Sequence, residues 1–132
     1  MIRSIRIFVS TVGLLVMVNL LAYGQGGGST SPLMGTVVDQ SGAVIAGVDI
    51  IVKNKATGAE FRGTTAADGV FTIPALSVST YTVTVTAPGF KQVVVENVKV
   101  EAGAPANIRV TLQIGDIKET VTVTGGAQLV QS

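Results

Sequence analysis

From Val70 to Phe90 the chain reads VFTIPALSVSTYTVTVTAPGF, and at its centre Tyr81, Val83 and Val85 share one parity while Thr82, Thr84 and Thr86 share the other. Alternation with a period of two marks a strand with one buried and one wet face, because successive side chains point to opposite sides of the sheet. The same signal recurs in short runs bounded by glycine, asparagine, aspartate or serine. It predicts strands over about Met34 to Asp39, Val48 to Asn54, Glu60 to Thr65, Val70 to Ile73, Tyr81 to Thr86, Lys91 to Val100 and Ala106 to Leu112. Val48, Ile50 and Val52 form one inward row, and Ala106, Ile108, Val110 and Leu112 another. Glu60 to Thr65 is polar and interrupted by Gly63, which suits an edge. In Lys91 to Val100 the alternation slips phase at Glu96 and Asn97, as a bulge would make it.

Short strands at regular spacing, with no helical period after the N-terminal segment, predict an all-β fold: a seven-stranded antiparallel Greek-key sandwich spanning 33–114. Its inward set is Val37, Val48, Ile50, Val52, Phe71, Ile73, Leu76, Tyr81, Val83, Val85, Phe90, Val98, Val100, Ile108, Val110 and Leu112. Each such side chain stabilises by roughly 1.5 to 3 kcal/mol on burial, enough for one small core without disulfides.

Ahead of the sandwich, Arg3 and Arg6 precede an apolar run from Ile7 to Ala22, and Ala22-Tyr23-Gly24 places small residues where a signal peptidase reads. Residues 1–24 are therefore expected to be a signal-peptide helix removed before Gln25, its apolar run falling short of the roughly 20 residues a spanning helix needs. QGGGSTSP at 25–32 reads as a flexible leader with nothing to bury.

Composition narrows the chemistry. The 132 residues include no cysteine and no histidine, which removes thiol nucleophiles, disulfides, Cys/His zinc sites and imidazole bases. Arg3 and Arg6 account for two of the nine Lys and Arg, leaving seven against eight acids after removal of the signal, a net charge of −1. No basic surface for nucleic acid is implied. Asp39 and Asp68 are the carboxylates most suited to acid–base work at loop ends, yet both stand at glycine turns where aspartate serves backbone geometry. Neither belongs to a dense set of oxygen ligands that would hold calcium. No catalytic residue, metal site or cofactor is expected.

The motif string G-T-V-V-D-Q-S-G-A-V-I-A-G-V at Gly35 to Val48, Thr57-Gly58, A-D-G-V-F-T-I at 67–73 and Y-T-V-T-V-T-A-P-G-F-K at 81–91 resembles the carboxypeptidase regulatory-like domain. That family is a transthyretin-like sandwich whose superfamily is also called carbohydrate-binding-like. Two positions depart from its usual pattern: Ser79, where glycine is common, and Ala46, where a turn proline is often found. The resemblance brings no active site, since the zinc domain of a carboxypeptidase is a separate unit.

A subset of these domains stands at the N-terminus of TonB-dependent outer-membrane receptors. In residues 115–132, an extended tail, Glu119, Thr120, Val121, Thr122, Val123 and Thr124 resemble a TonB box. An extended β-branched segment of this kind can add itself to a partner's sheet, which names the C-terminal domain of TonB as the implied partner. An eighth strand of the sandwich, or a disordered tail, is the other reading of the same residues. A receptor barrel would need about 220 residues in strands alone, so the chain is expected to be a leading piece or a free-standing exported module, periplasmic or outer-membrane associated, touching the membrane only through a parent receptor. The alternative function is a stand-alone exported module that binds carbohydrate or protein. Sugar platforms stack on exposed aromatic rings, and Phe61 is the candidate for that role.

Overall fold

The computed structural model describes Ser29 to Gly125. The expected signal peptide, the first residues of the leader and the last residues of the tail lie outside the described residues. Among the described residues eight strands form two facing sheets: β1 (Thr30–Asp39), β2 (Asp49–Asn54), β3 (Glu60–Thr64), β4 (Val70–Ser77), β5 (Ser79–Thr86), β6 (Gln92–Val100), β7 (Ala106–Leu112) and β8 (Thr120–Thr124). One sheet has the order β4-β1-β7, the other β3-β2-β5-β6-β8. The all-β sandwich is as the alternation predicts.

The inward rows meet between the sheets. Tyr81, Phe71, Leu33, Ile50, Leu76, Leu112, Val37, Val48, Val52, Val83, Val85 and Val95 are the largest of the fully buried side chains. The threonines of β5 face the other way and are half-buried, so the strand has the register that its alternation requires. β5 lies in the middle of the larger sheet, paired antiparallel to β2 and β6.

The phase slip in β6 is a bulge. Tyr81 pairs with Val98 but Val83 pairs with Val95, so Glu96 and Asn97 together oppose Thr82. Asn97 takes φ 59°, a left-handed conformation that asparagine tolerates better than most residues. The extra residue lets Val93 and Val95 point inward on one side of the bulge and Val98 and Val100 on the other.

Four features differ from the expectation. The sandwich has eight strands rather than seven, since Thr120–Thr124 joins the larger sheet. It is not wholly antiparallel: β1 runs parallel to β7 and β6 parallel to β8, because those partners arrive after crossing between layers instead of through hairpins. β4 runs on to Ser77 rather than ending at Ile73, so that Val78 alone separates it from β5 in the other sheet. β1 starts at Thr30, within the stretch expected to be a mobile leader. Backbone pairing overrides polar composition there: the Ser31 hydroxyl, itself buried, donates to the Glu101 carbonyl at 2.6 Å, and Leu33 is fully buried.

Prolines shape the β1–β4 pair. Ser31 is opposite Leu76 and Leu33 opposite Ile73, so Pro32 faces Pro74 and Ala75 at an irregularity where neither proline can donate to the ladder. β4 is an edge strand, which is where a strand proline is tolerated.

Two glycines are required by space. A Cβ on Gly35 would overlap the Phe71 ring, so β1 and β4 close only because that position has no side chain. At Gly69, φ is +74° and a Cβ would stand 2.7 Å from the Val44 Cβ and 2.9 Å from the Val37 carbonyl oxygen. The Gly69 carbonyl in turn accepts from the Val37 N–H at 2.9 Å.

Candidate functional site

The segment that the sequence singles out, Glu119 to Thr124, is built onto the edge of the larger sheet. After β7 the chain doubles back along the start of β6. The Lys91 N–H donates to the Gln113 carbonyl at 2.8 Å and the Gly115 N–H to the Gly89 carbonyl at 3.1 Å. Asp116 then makes a turn, its carboxylate accepting from the Lys118 N–H at 2.9 Å and its carbonyl from the Glu119 N–H at 2.9 Å. Lys91 Nζ lies 3.2 Å from a carboxylate oxygen of Glu119 and fixes the entry to β8. This anchor is partly exposed, so its contribution is well below 1 kcal/mol once screened. Sequence patterning gives no signal for Lys91, because the pair joins residues far apart in the chain.

β8 then runs parallel to β6 in continuous register from Gln92–Thr120 to Glu96–Thr124. The ladder opens with the Gln92 N–H donating to the Glu119 carbonyl at 2.9 Å and closes with the Gly125 N–H donating to the Glu96 carbonyl. Parallel pairing alternates, so the odd-numbered residues Val121 and Val123 direct both backbone groups at β6. Thr120, Thr122 and Thr124 direct theirs away from it. Among the described residues no strand pairs with that outer edge, β8 being the last strand of its sheet.

The side chains of β8 repeat the pattern of β5. Val121 and Val123 are half-buried against the core and the three threonines are exposed. Thr120–Thr124 and Thr82–Thr86 are the same pentapeptide, TVTVT, and both flank β6, one parallel and one antiparallel. The eighth-strand reading of the segment was thus legible in the sequence; the parity shared with β5 fixes which side chains turn to the core, and the sheet order supplies β6 as the neighbour.

Other candidates are placed less favourably for chemistry. Phe61 is half-buried and packs against the core from β3, so its ring is not an open platform. Phe71 and Tyr81 are buried and Phe90 is half-buried. Asp39 is committed to a turn: its Oδ1 accepts from the Ser41 hydroxyl at 2.6 Å, the Ser41 N–H at 2.8 Å and the Ala43 N–H at 3.1 Å. The Ser41 hydroxyl bond, together with the backbone N–H groups, holds its carboxyl below the ordinary value against a smaller opposing effect of desolvation. Asp68 accepts from the Val70 N–H at 3.0 Å. Both carboxylates serve turns, as their neighbouring glycines suggest. Among the described residues no three Asp, Glu, His or Cys side chains gather in a metal-binding group.

A shallow, open depression of about 460 Å³ lies over β2 and β3, lined by Asp49, Ile51, Arg62, Thr64 and Thr86. Arg62 there is exposed and only 4.0 Å from Glu60, a loose ion pair.

The fold and these placements agree with what comparison finds. The family model for the carboxypeptidase regulatory-like domain matches residues 32–113. The chain belongs to this family. As a carboxypeptidase regulatory-like domain it has a regulatory or binding type of sandwich, and solved structures extend the likeness. The Bacillus anthracis TIE protein superposes with a TM-score of 0.57 at 19% identity, covering 65% of this chain and 17% of that one. Hydroxyquinol 1,2-dioxygenase from Pseudomonas putida DLL-E4 gives 0.55 at 11% identity, over 69% of this chain and 58% of the enzyme. A protein from Bacteroides uniformis ATCC 8492 described as a putative carbohydrate binding protein gives 0.52 at 18% identity, over 65% of this chain and 42% of its own. The chain spans less than two thirds of each, and at these identities the likeness is one of fold. No curated protein sequence matches the chain.

Proposed function

We propose that this chain is an exported, non-catalytic interaction module of the type that precedes TonB-dependent outer-membrane receptors, and that it offers β8 to the C-terminal domain of TonB by strand addition. The observation that carries the reading is the outer edge of β8. Thr120, Thr122 and Thr124 present backbone donors and acceptors on a strand anchored at both ends, and main-chain pairing of this kind supplies affinity without a pocket. The family is of regulatory or binding type, and the carboxylates that could have acted as acid and base are tied into turns. Export rests on the sequence of residues 1–24, and the association with the outer membrane on a parent receptor.

The test is capture of the chain by immobilised TonB C-terminal domain. Thr122→Pro removes an outward N–H and leaves the ladder to β6 intact, so capture should fall at least tenfold while the melting curve stays close to the parent's. Undiminished capture of Thr122→Pro, or no capture of the parent chain, overturns the proposal. Carbohydrate binding is the rival outcome, and glycan binding that Phe61→Ala abolishes would establish it instead.

A further inference from the structure

Among the described residues two sheets present four edges, and three of them are defended against pairing with another molecule. β3 carries Glu60, Arg62 and Gly63; β4 carries Pro74 and an irregular register; β7 carries Arg109. Charges, prolines and bulges at edges are the usual means of preventing strand-to-strand association. β8 has none of them: TVTVT holds no charge, no proline and no glycine. The undefended edge is also the one whose sequence reads the same in both directions.

We infer that two copies of this chain associate edge to edge through β8, antiparallel, about a two-fold axis beside Thr122. The inference goes beyond the TonB reading, uses the same edge and does not depend on it. A two-fold contact needs a self-complementary surface, and a palindromic strand supplies one. With Thr122 opposite the partner's Thr122, Thr120 meets the partner's Thr124 and Val121 meets the partner's Val123. Threonines then face threonines on the wet side and valines face valines on the core side. Cross-strand pairs of these types are favourable. The outward backbone groups of the three threonines on each copy would exchange about six hydrogen bonds.

Three further observations fit a second copy at this edge. Val121 and Val123 are only half-buried, and the opposing valines would cover the remainder. Glu119, the nearest charge, is held by Lys91 and would fall opposite the partner's Gly125, so no like charges meet. The fold also provides an internal precedent: the identical pentapeptide in β5 accepts an antiparallel strand on each side.

The experiment is sedimentation equilibrium of the full chain across a wide concentration range, without TonB. The parent chain should associate to a dimer. Thr122→Lys and Thr122→Glu each place like charges opposite one another on the axis, and each should weaken self-association by about tenfold or more. Mixing the two variants should restore a dimer containing one of each. Circular dichroism melting shows whether each variant is folded, as expected for substitutions at an exposed position. A parent chain that stays monomeric throughout, variants that associate like the parent, or a mixture that fails to recover overturns the inference.

Discussion

The Tyr81 hydroxyl donates to the Ser77 carbonyl at 2.7 Å, tying the centre of the larger sheet to the last residue of the strand that feeds it from the smaller one. Asn54 supports the corner from a neighbouring strand. Its Oδ1 accepts from the Ala56 N–H at 2.8 Å, the Thr57 N–H at 3.1 Å and the Ser79 hydroxyl at 3.0 Å. Tyr81→Phe should cost about 1 to 2 kcal/mol, and Asn54→Ala more, since it leaves several partners unsatisfied. Thermal denaturation should show a fall of roughly 4 to 8 °C for each kcal/mol in a domain of this size.

The register of β5 makes a sharp contrast between adjacent positions. Val83 is fully buried, whereas Thr84 faces outward. Val83→Asp places an unpaired charge in the core and should unfold the domain; Thr84→Asp should leave a cooperative transition close to the parent's. Equal melting of the two variants would contradict the register.

Gly35 and Phe71 form a size-matched pair. Gly35→Ala puts a methyl group into the Phe71 ring and should destabilise by about 1 to 3 kcal/mol. Adding Phe71→Leu removes the obstructing ring edge, so the double variant should be more stable than additivity of the single changes allows. A double-mutant cycle in denaturant measures the coupling.

Asp39 gives a pH dependence with a definite sign. Its carboxyl is held below the ordinary value of 3.8 in the folded chain, chiefly by the Ser41 hydroxyl. A group depressed on folding stabilises above its unfolded pKa and loses that contribution as pH falls through the lower, folded value. Stability of the parent should therefore decline below about pH 4 more steeply than that of Asp39→Asn. Chemical denaturation at a series of acid pH values measures the difference.

The two uses proposed for β8 exclude one another, since one edge accepts one strand. Excess TonB C-terminal domain should therefore split the dimer into complexes of one chain with one TonB domain, which sedimentation velocity resolves by mass. Thr122→Lys should weaken self-association. A complex holding two chains and two TonB domains would mean that the two partners meet different surfaces.

Most of the sandwich was legible because alternation is a local signal. Val83 and Val85 announce an inward row, and the slip at Glu96 and Asn97 announces a bulge, without knowledge of any partner. The pattern does not say which sheet a strand joins. Val70–Ser77 and Ser79–Thr86 are neighbours in the sequence and are split between layers in the fold, because one residue, Val78, suffices to cross. Ser31 was hidden by its polar surroundings, since pairing of that backbone with β4 is non-local. Phe90 was expected inside and is half-buried. For the candidate site the segment was visible and its setting was not. Valine parity identifies Thr120–Thr124 as strand-forming, but only the sheet order shows it last in line, with one edge taken and the other unpaired among the described residues.

The duplicated pentapeptide on either side of β6 bears on how the chain must be made. A nascent polypeptide presents Thr82–Thr86 before Gln92–Val100, and Thr120–Thr124 only afterwards, so the antiparallel neighbour is available to the middle strand while the look-alike is still unmade. That order in the chain distinguishes two segments which are identical in sequence. Dilution from denaturant releases both rivals at once, and the yield lost there, relative to synthesis, measures how far chain order does the sorting.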